Sequence, residues 1–207
     1  MGRWDVKRAF LYTNCGDISV ENKGKSEREA LRGARTIILS GDIDDSSSRD
    51  FIQDMTIVTN NNPNKAPITV IIQSCGGEVP AGIACIRAIR SAQKDGIRVI
   101  GKVYGEAMSM AFLVLQACDD RIMGNLCTLM AHGVTAFTVG DTRNLEAERK
   151  LLKFWQSGFS DMLSNRCTKK DSVAAKPDFW FRIMEDDTPQ FYSSNECLEM
   201  GIIDRVE

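Results

Sequence analysis

The chain has 207 residues and only one histidine, His132. A single imidazole excludes a His-rich zinc or haem site and leaves one residue to carry any histidine chemistry. Among seven cysteines (Cys15, Cys75, Cys85, Cys118, Cys127, Cys167 and Cys197) there is no C-x-x-C, so neither a zinc ribbon nor a thioredoxin-like motif is supported. Their odd number and scattered spacing read as free thiols in a reducing compartment. There is no excess of either charge: 26 basic against 28 acidic residues leave a formal net charge of −2, which removes the basic face that nucleic-acid binding requires. No apolar run approaches the ~20 residues of a membrane span; the longest lies around Met108–Leu115. The N-terminus, MGRWDVKRAF, has no apolar h-region, and Val6 stands where a myristoylation signal needs Ser or Thr. These absences predict a cytoplasmic protein with no membrane or nucleic-acid partner.

What remains is an ordinary globular composition, 43% apolar and 26% charged. At this length it suits one domain with an appended arm. Residues 1–34 are polar and mixed and read as an N-terminal arm or loop; the domain is expected over 35–207. Thr36–Ser40 (TIILS) and Ile68–Gln73 (ITVIIQ) read as buried strands and Ile97–Val103 as a third. Between them a helix over 48–59, capped by Asp45, Ser46 or Ser47, carries Phe51, Ile52, Met55 and Val58 on one face. A second helix carries Ile83, Ile86, Ala88 and Ile89 and stops at Asp95-Gly96, and a third starts near Ser109. Arg121–Met123 and Leu126–Ala131 are short strand candidates, 141–165 a long helix, SSNECLEM a capped helix and Ile202–Val206 a last strand. Strands alternating with helices of this length predict an α/β fold of βαβ units around a largely parallel sheet, with ligands at the carboxyl ends of its strands.

Three loops lie at those ends. In Ser74-Cys75-Gly76-Gly77 the glycines let backbone N–H groups face a bound oxygen, which suits an oxyanion hole, a phosphate cradle or a plain βα turn. It matches neither a P-loop nor a G-x-G-x-x-G fingerprint. In Gly105-Glu106-Ala107-Met108-Ser109-Met110 a serine occupies a strand-to-helix junction, either as an exposed nucleophile or as an N-cap. Met108 and Met110 flank it and are candidates to shape an apolar substrate pocket. In Met130-Ala131-His132 the sole histidine closes an apolar strand, either as the base that such a serine requires or as a hydrogen-bonded core residue. Trp155, Phe159, Phe179, Trp180 and Phe181 read as core and subunit-contact residues.

In this order and at this spacing, these segments resemble the proteolytic subunit of the Clp protease family (ClpP). That family carries a Ser-Pro-Gly-Gly, a Gly-x-Ala-x-Ser-Met and a Met-x-His segment. Leu198-Glu199-Met200-Gly201-Ile202-Ile203-Asp204 is similar to the family's ending. The resemblance covers about residues 35–207. It implies a crotonase-like (ClpP-like) fold of repeated β-β-α and βαβ units, with the helix near 141–165 as a protruding handle that joins two seven-membered rings of a homo-oligomer. It implies a serine endopeptidase with Ser109 as nucleophile, His132 as base, and the backbone N–H groups of Gly77 and Met110, with Gly76 beside them, as the oxyanion hole. The substrates would be unfolded polypeptides delivered by an AAA+ unfoldase of the Clp type. That partner uses the ATP, so this chain would hold no cofactor, nucleotide or metal. Two departures stand out. Cys75 replaces the family's proline, and Pro189 stands two residues before Phe191, where the family has the third triad member. Among the nearby acids Glu185, Asp186 and Asp187, Asp187 is the expected third member and Asp186 its alternative. A missing carboxylate would instead suit a weakly active or non-catalytic ring subunit supporting active homologues. An acyl-CoA enzyme is a third reading, but that chemistry usually relies on a glutamate rather than a Ser-His pair.

Overall fold

A computed structural model describes residues 24–134, 142–186 and 188–207. After α1 (Gly24–Gly33), β1 (Thr36–Ile43) leads to α2 (Asp45–Asn60), β2 (Ile68–Gly77) to α3 (Val79–Lys94), and β3 (Val99–Met108) to α4 (Met110–Ala117). Then come β4 (Asp120–Met123), β5 (Thr128–Ala131), α5 (Thr142–Arg166), a 3-10 turn at Val173–Ala175, α6 (Pro177–Glu185), β6 (Gln190–Ser193), α7 (Ser194–Met200) and β7 (Arg205–Val206). The strands β1-β2-β3-β4-β7 pair in parallel, as the alternation of elements predicts.

β3 divides its partners along its length. Ile100–Val103 pair with β4, whereas Glu106–Met108 pair with β5, so β5 continues the sheet beyond the point where β4 stops. β6 then runs antiparallel to β5. The sequence pattern foreshadows neither β6 nor α6. β6 is four mostly exposed residues with no hydrophobic alternation, and it exists because β5 offers an open edge.

Several local expectations change. The strands read as fully buried are buried on one face: Ile37 and Leu39 are covered while Ile38 is exposed, and Ile68, Val70 and Ile72 alternate with half-buried Thr69 and Ile71. Such alternation belongs to a sheet with its helices packed on one face. Asp44, rather than Asp45, Ser46 or Ser47, caps α2; its carboxylate accepts from Ser47 N–H, and Ser47 Oγ accepts from Asp44 N–H. Residues 74–77 are not a turn after β2 but its last four residues. The last strand shrinks to Arg205–Val206, because Ile202 N–H and Ile203 N–H both turn back to Cys197 O and close α7. α1 lies before the boundary drawn at residue 35 and docks on α2, with Arg28 and Arg32 both reaching the largely buried Asp54. Residues 1–23 fall outside the described residues.

Packing centres on α4, whose eight residues MAFLVLQA are all buried. Such a helix needs a partner for its one polar side chain, and Gln116 has two: its Nε2 donates to Ile202 O at 3.1 Å and its Oε1 accepts from Arg121 Nη1 at 2.8 Å. Arg121 is 0% exposed and also bonds Asp204 and Arg166 O, tying the ends of α4 and α5 to the C-terminal segment.

The long helix expected near 141–165 is α5, about 37 Å in length by its residue count. Its second half is anchored through Phe159 and Leu163, while Leu145, Leu151 and Phe154 on the first half are exposed. Of the expected aromatic core, Trp180 is buried; its Nε1 donates to Ala174 O, and its ring meets Phe112, Phe179 and Tyr192. Cys85, Cys118, Cys127, Cys167 and Cys197 are free, buried thiols, and burial pushes the pKa of Cys85, Cys118 and Cys197 up to about 12. Among those residues no helix is long and apolar enough to cross a membrane.

Candidate active site

The divided pairing of β3 builds the site. Met108, its last residue, is in register with Met130 of β5, and Ser109 N–H donates to Met130 O at 2.8 Å. Ser109 therefore follows the end of β3 just as His132 follows the end of β5. Twenty-three residues of separation are cancelled by three parallel pairs, and His132 Nε2 lies 2.8 Å from Ser109 Oγ. With the ring proton on Nδ1, Nε2 accepts from the hydroxyl and is placed to take its proton.

Ser109 stands at the N-cap position of α4, but its side chain makes no capping bond. Its backbone has φ +52° and ψ −120°, a combination that favours glycine. This turn throws the hydroxyl off the sheet end toward His132 instead of onto the helix's own N–H groups. Of the two roles open to this serine, the geometry favours the exposed hydroxyl over the cap. His132 is half-buried and faces that hydroxyl, so it is not a residue enclosed in the core.

The glycines lie against this turn. A Cβ on Gly76 would come within 2.7 Å of both Met108 O and Ser109 Cβ, and one on Gly77 would overlap the backbone of Ile43. Both have positive φ, +101° and +149°. Only glycine lets β2 pass between β1 and the Ser109 turn. Gly77 lines the cavity beside Ser109, and Glu78 N–H donates to Ile43 O. The first turn of α4 begins at Met110, next to the same space, where helix N–H groups lack intrahelical partners. Gly76 differs from the expectation: its N–H donates to Ser74 Oγ at 3.1 Å and is not available to an oxyanion.

The cavity at the Ser109 side chain has a volume of about 80 Å³ and is walled by Phe112, Leu113, Phe159, Leu163 and Met184. Met110 contributes to it, whereas Met108 does not. Pairing of Ala131 with Gln190 in the antiparallel register carries the chain before Gln190 past His132. Asp186, after the last turn of α6, is exposed and accepts from Thr188 Oγ1 at 3.0 Å. Asp187 lies outside the described residues.

Two polar residues of the glycine loop have partners that the sequence does not show. Ser74 is fully buried, and Cys75, where the family has proline, donates its thiol to Asp42 Oδ1 at 3.0 Å. Ser74 was detectable in principle: it shares a strand face with Ile68, Val70 and Ile72, and a hydroxyl on a buried face needs a partner.

The geometry thus joins a strained serine, an imidazole and a glycine strand at the carboxyl ends of β2, β3 and β5. Comparison with known proteins agrees. Among relatives, the ATP-dependent Clp protease proteolytic subunit 1 of Streptomyces avermitilis is 20% identical over 176 residues, which cover 85% of this chain and 76% of that protein. The Clp protease family itself matches residues 20–207, nearly the whole length, and with the split parallel sheet and the long α5 this establishes that the chain belongs to the Clp protease family and has its ClpP-like fold.

Proposed function

We propose that the chain is the serine peptidase subunit of a Clp-type protease and cuts unfolded polypeptides. The observation that carries this reading is the 2.8 Å contact between Ser109 Oγ and His132 Nε2 on a strained strand-to-helix turn. Ser109 Oγ attacks the scissile carbonyl carbon while its proton passes to Nε2. The resulting oxyanion is held by the N–H groups of Gly77 and Met110. The intermediate then collapses, and the leaving amine takes the proton from Nε2. Water repeats the sequence on the acyl-enzyme, releasing the carboxylate and regenerating the serine. The apolar cavity beside Ser109 favours substrates with an aliphatic side chain before the cut bond. No cofactor or metal enters these steps.

Exposed Leu145, Leu151 and Phe154 on α5 support assembly of two seven-membered rings through this helix, and ATP is spent by a separate AAA+ unfoldase. A fluorophosphonate probe tests the peptidase reading. It is expected to label Ser109 in the assembled full-length protein, as mapped by mass spectrometry. Absence of label there, with no cleavage of peptides, overturns it in favour of a non-catalytic ring subunit, a role that the Pro189 departure would suit.

Asp187 completes the triad in this reading, which the direction of the antiparallel β5–β6 pairing and the engagement of Asp186 by Thr188 support. Asp187→Asn is expected to lower kcat by about 10⁴-fold, through loss of the imidazole's orientation. Asp186→Asn is expected to change it by less than about tenfold. Steady-state kinetics of both variants on one fluorogenic peptide decide between them; the reverse ranking assigns the role to Asp186.

A further inference from the structure

The geometry points to Ser74 as the positioning residue of the oxyanion strand, an inference that rests on the serine-peptidase reading. Ser74 is 0% exposed, and its hydroxyl is used twice: it donates to Gly41 O of β1 at 2.6 Å and accepts from Gly76 N–H at 3.1 Å.

Ser74 itself sits where regular pairing fails on both sides of β2. The β1–β2 register shifts between Ser40 and Asp42, and the β2–β3 register shifts between Ile72 and Ser74. At such irregularities the ladder leaves backbone groups unmatched. Ser74 Oγ takes up the carbonyl of Gly41, the residue skipped in the β1–β2 register, together with Gly76 N–H, so one side chain ties that irregularity to the glycine beside Ser109.

The consequence reaches the reacting serine. The Gly76 Cα is packed so closely that a Cβ would stand 2.7 Å from Ser109 Cβ and 3.1 Å from Met110 N. Fixing the Gly76 N–H on Ser74 fixes the Cys75–Gly76 peptide, and the close-packed Gly76 Cα is then the one joint between that peptide and the Gly77 N–H. It also withdraws the Gly76 N–H from the site, leaving the oxyanion to Gly77 and Met110. Ser74 itself touches no substrate.

The test uses the assembled full-length protein with Ser74→Ala and Ser74→Cys, the latter keeping a similar volume with a weaker donor. Fluorophosphonate titration counts competent sites, and kcat and KM for an aliphatic fluorogenic peptide are expressed per titrated site. For Ser74→Ala, kcat per site is expected to fall about 100-fold with KM little changed, since misaimed donors weaken the transition state and not substrate binding. Ser74→Cys is expected to fall between the two and carries the test if Ser74→Ala does not fold. A purely structural role would reduce the number of titrated sites and leave turnover per site intact. Turnover per site within about twofold of wild type in whichever variant folds overturns the inference. Wild-type protein that takes no probe at Ser109 overturns the peptidase reading, and the inference with it.

Discussion

Replacing Ser109 by alanine is expected to reduce kcat for a short aliphatic peptide by about 10⁶-fold, to the level of an enzyme without its nucleophile. The same change should leave the fold intact. The hydroxyl caps no helix and bonds His132 at the sheet end, so its removal orphans no buried backbone group. The backbone remains as it was, at φ +52° and ψ −120°, and alanine relieves none of that strain. Glycine does relieve it. Ser109→Gly should be as inactive as Ser109→Ala yet more stable than it by about 1 kcal/mol, since a side chain in this conformation costs on the order of 1–3 kcal/mol. Kinetics and denaturant melts on the two variants together check the point. Ser109→Gly no more stable than Ser109→Ala would mean that the turn stores no strain, and turnover surviving in both would remove Ser109 from the mechanism.

The largest expected loss of stability lies away from the site. Asp204→Ala should destabilise the chain by about 3 kcal/mol, because it leaves the fully buried Arg121 guanidinium without its counter-charge. Asp204 receives Arg121 through Nε and Nη2 and also accepts the Arg121 backbone N–H. What remains to the cation are neutral acceptors, Gln116 Oε1 and Arg166 O. For a chain of this size that loss corresponds to a fall in Tm of roughly 6–12 °C. Asp204→Asn keeps an acceptor oxygen without the charge and should fall between. The same pair gives the pH dependence its sign. Desolvation pushes the Asp204 carboxyl up, but the hydrogen bonds and charge of Arg121 outweigh it and hold it below its ordinary 3.8. A carboxyl lowered by folding stabilises fully above its unfolded value and loses that contribution as the pH falls through the folded one. Wild-type stability should therefore drop below pH 3.8, and the drop should be shallower in Asp204→Ala, as followed by denaturant melts across pH. An identical acid limb in both proteins would show that the pair contributes nothing to it.

This Arg121 network was invisible in the sequence. Arg121 sits in a short strand candidate, and nothing near it in the chain signals that Asp204, 83 residues later, will neutralise it. The site divides in the same way. Ser109, His132 and the glycine pair could be singled out locally, since each follows a β-branched or apolar run that ends at a small residue. Gly76 could be identified as essential glycine, but not as a donor already engaged by Ser74, because that engagement depends on a register shift between strands. The third acid remained a choice between neighbours because the antiparallel β6 that follows them has no hydrophobic pattern of its own.

By itself, then, the sequence determined the order of strands and helices from β1 to α5, the parallel α/β class and the three loops that hold the chemistry, because apolar periodicity, caps and glycine stops act within a few residues of chain. Only the tertiary structure decided which of those residues meet. The pairing of Met108 with Met130 sets Ser109 against His132, the shifts at Ser40/Asp42 and Ile72/Ser74 give Ser74 its two bonds, and the closure of α7 onto Cys197 O confines β7 to two residues. These are hydrogen-bond registers between distant segments. Their free energies depend on packing across the whole sheet, which no local window of residues contains.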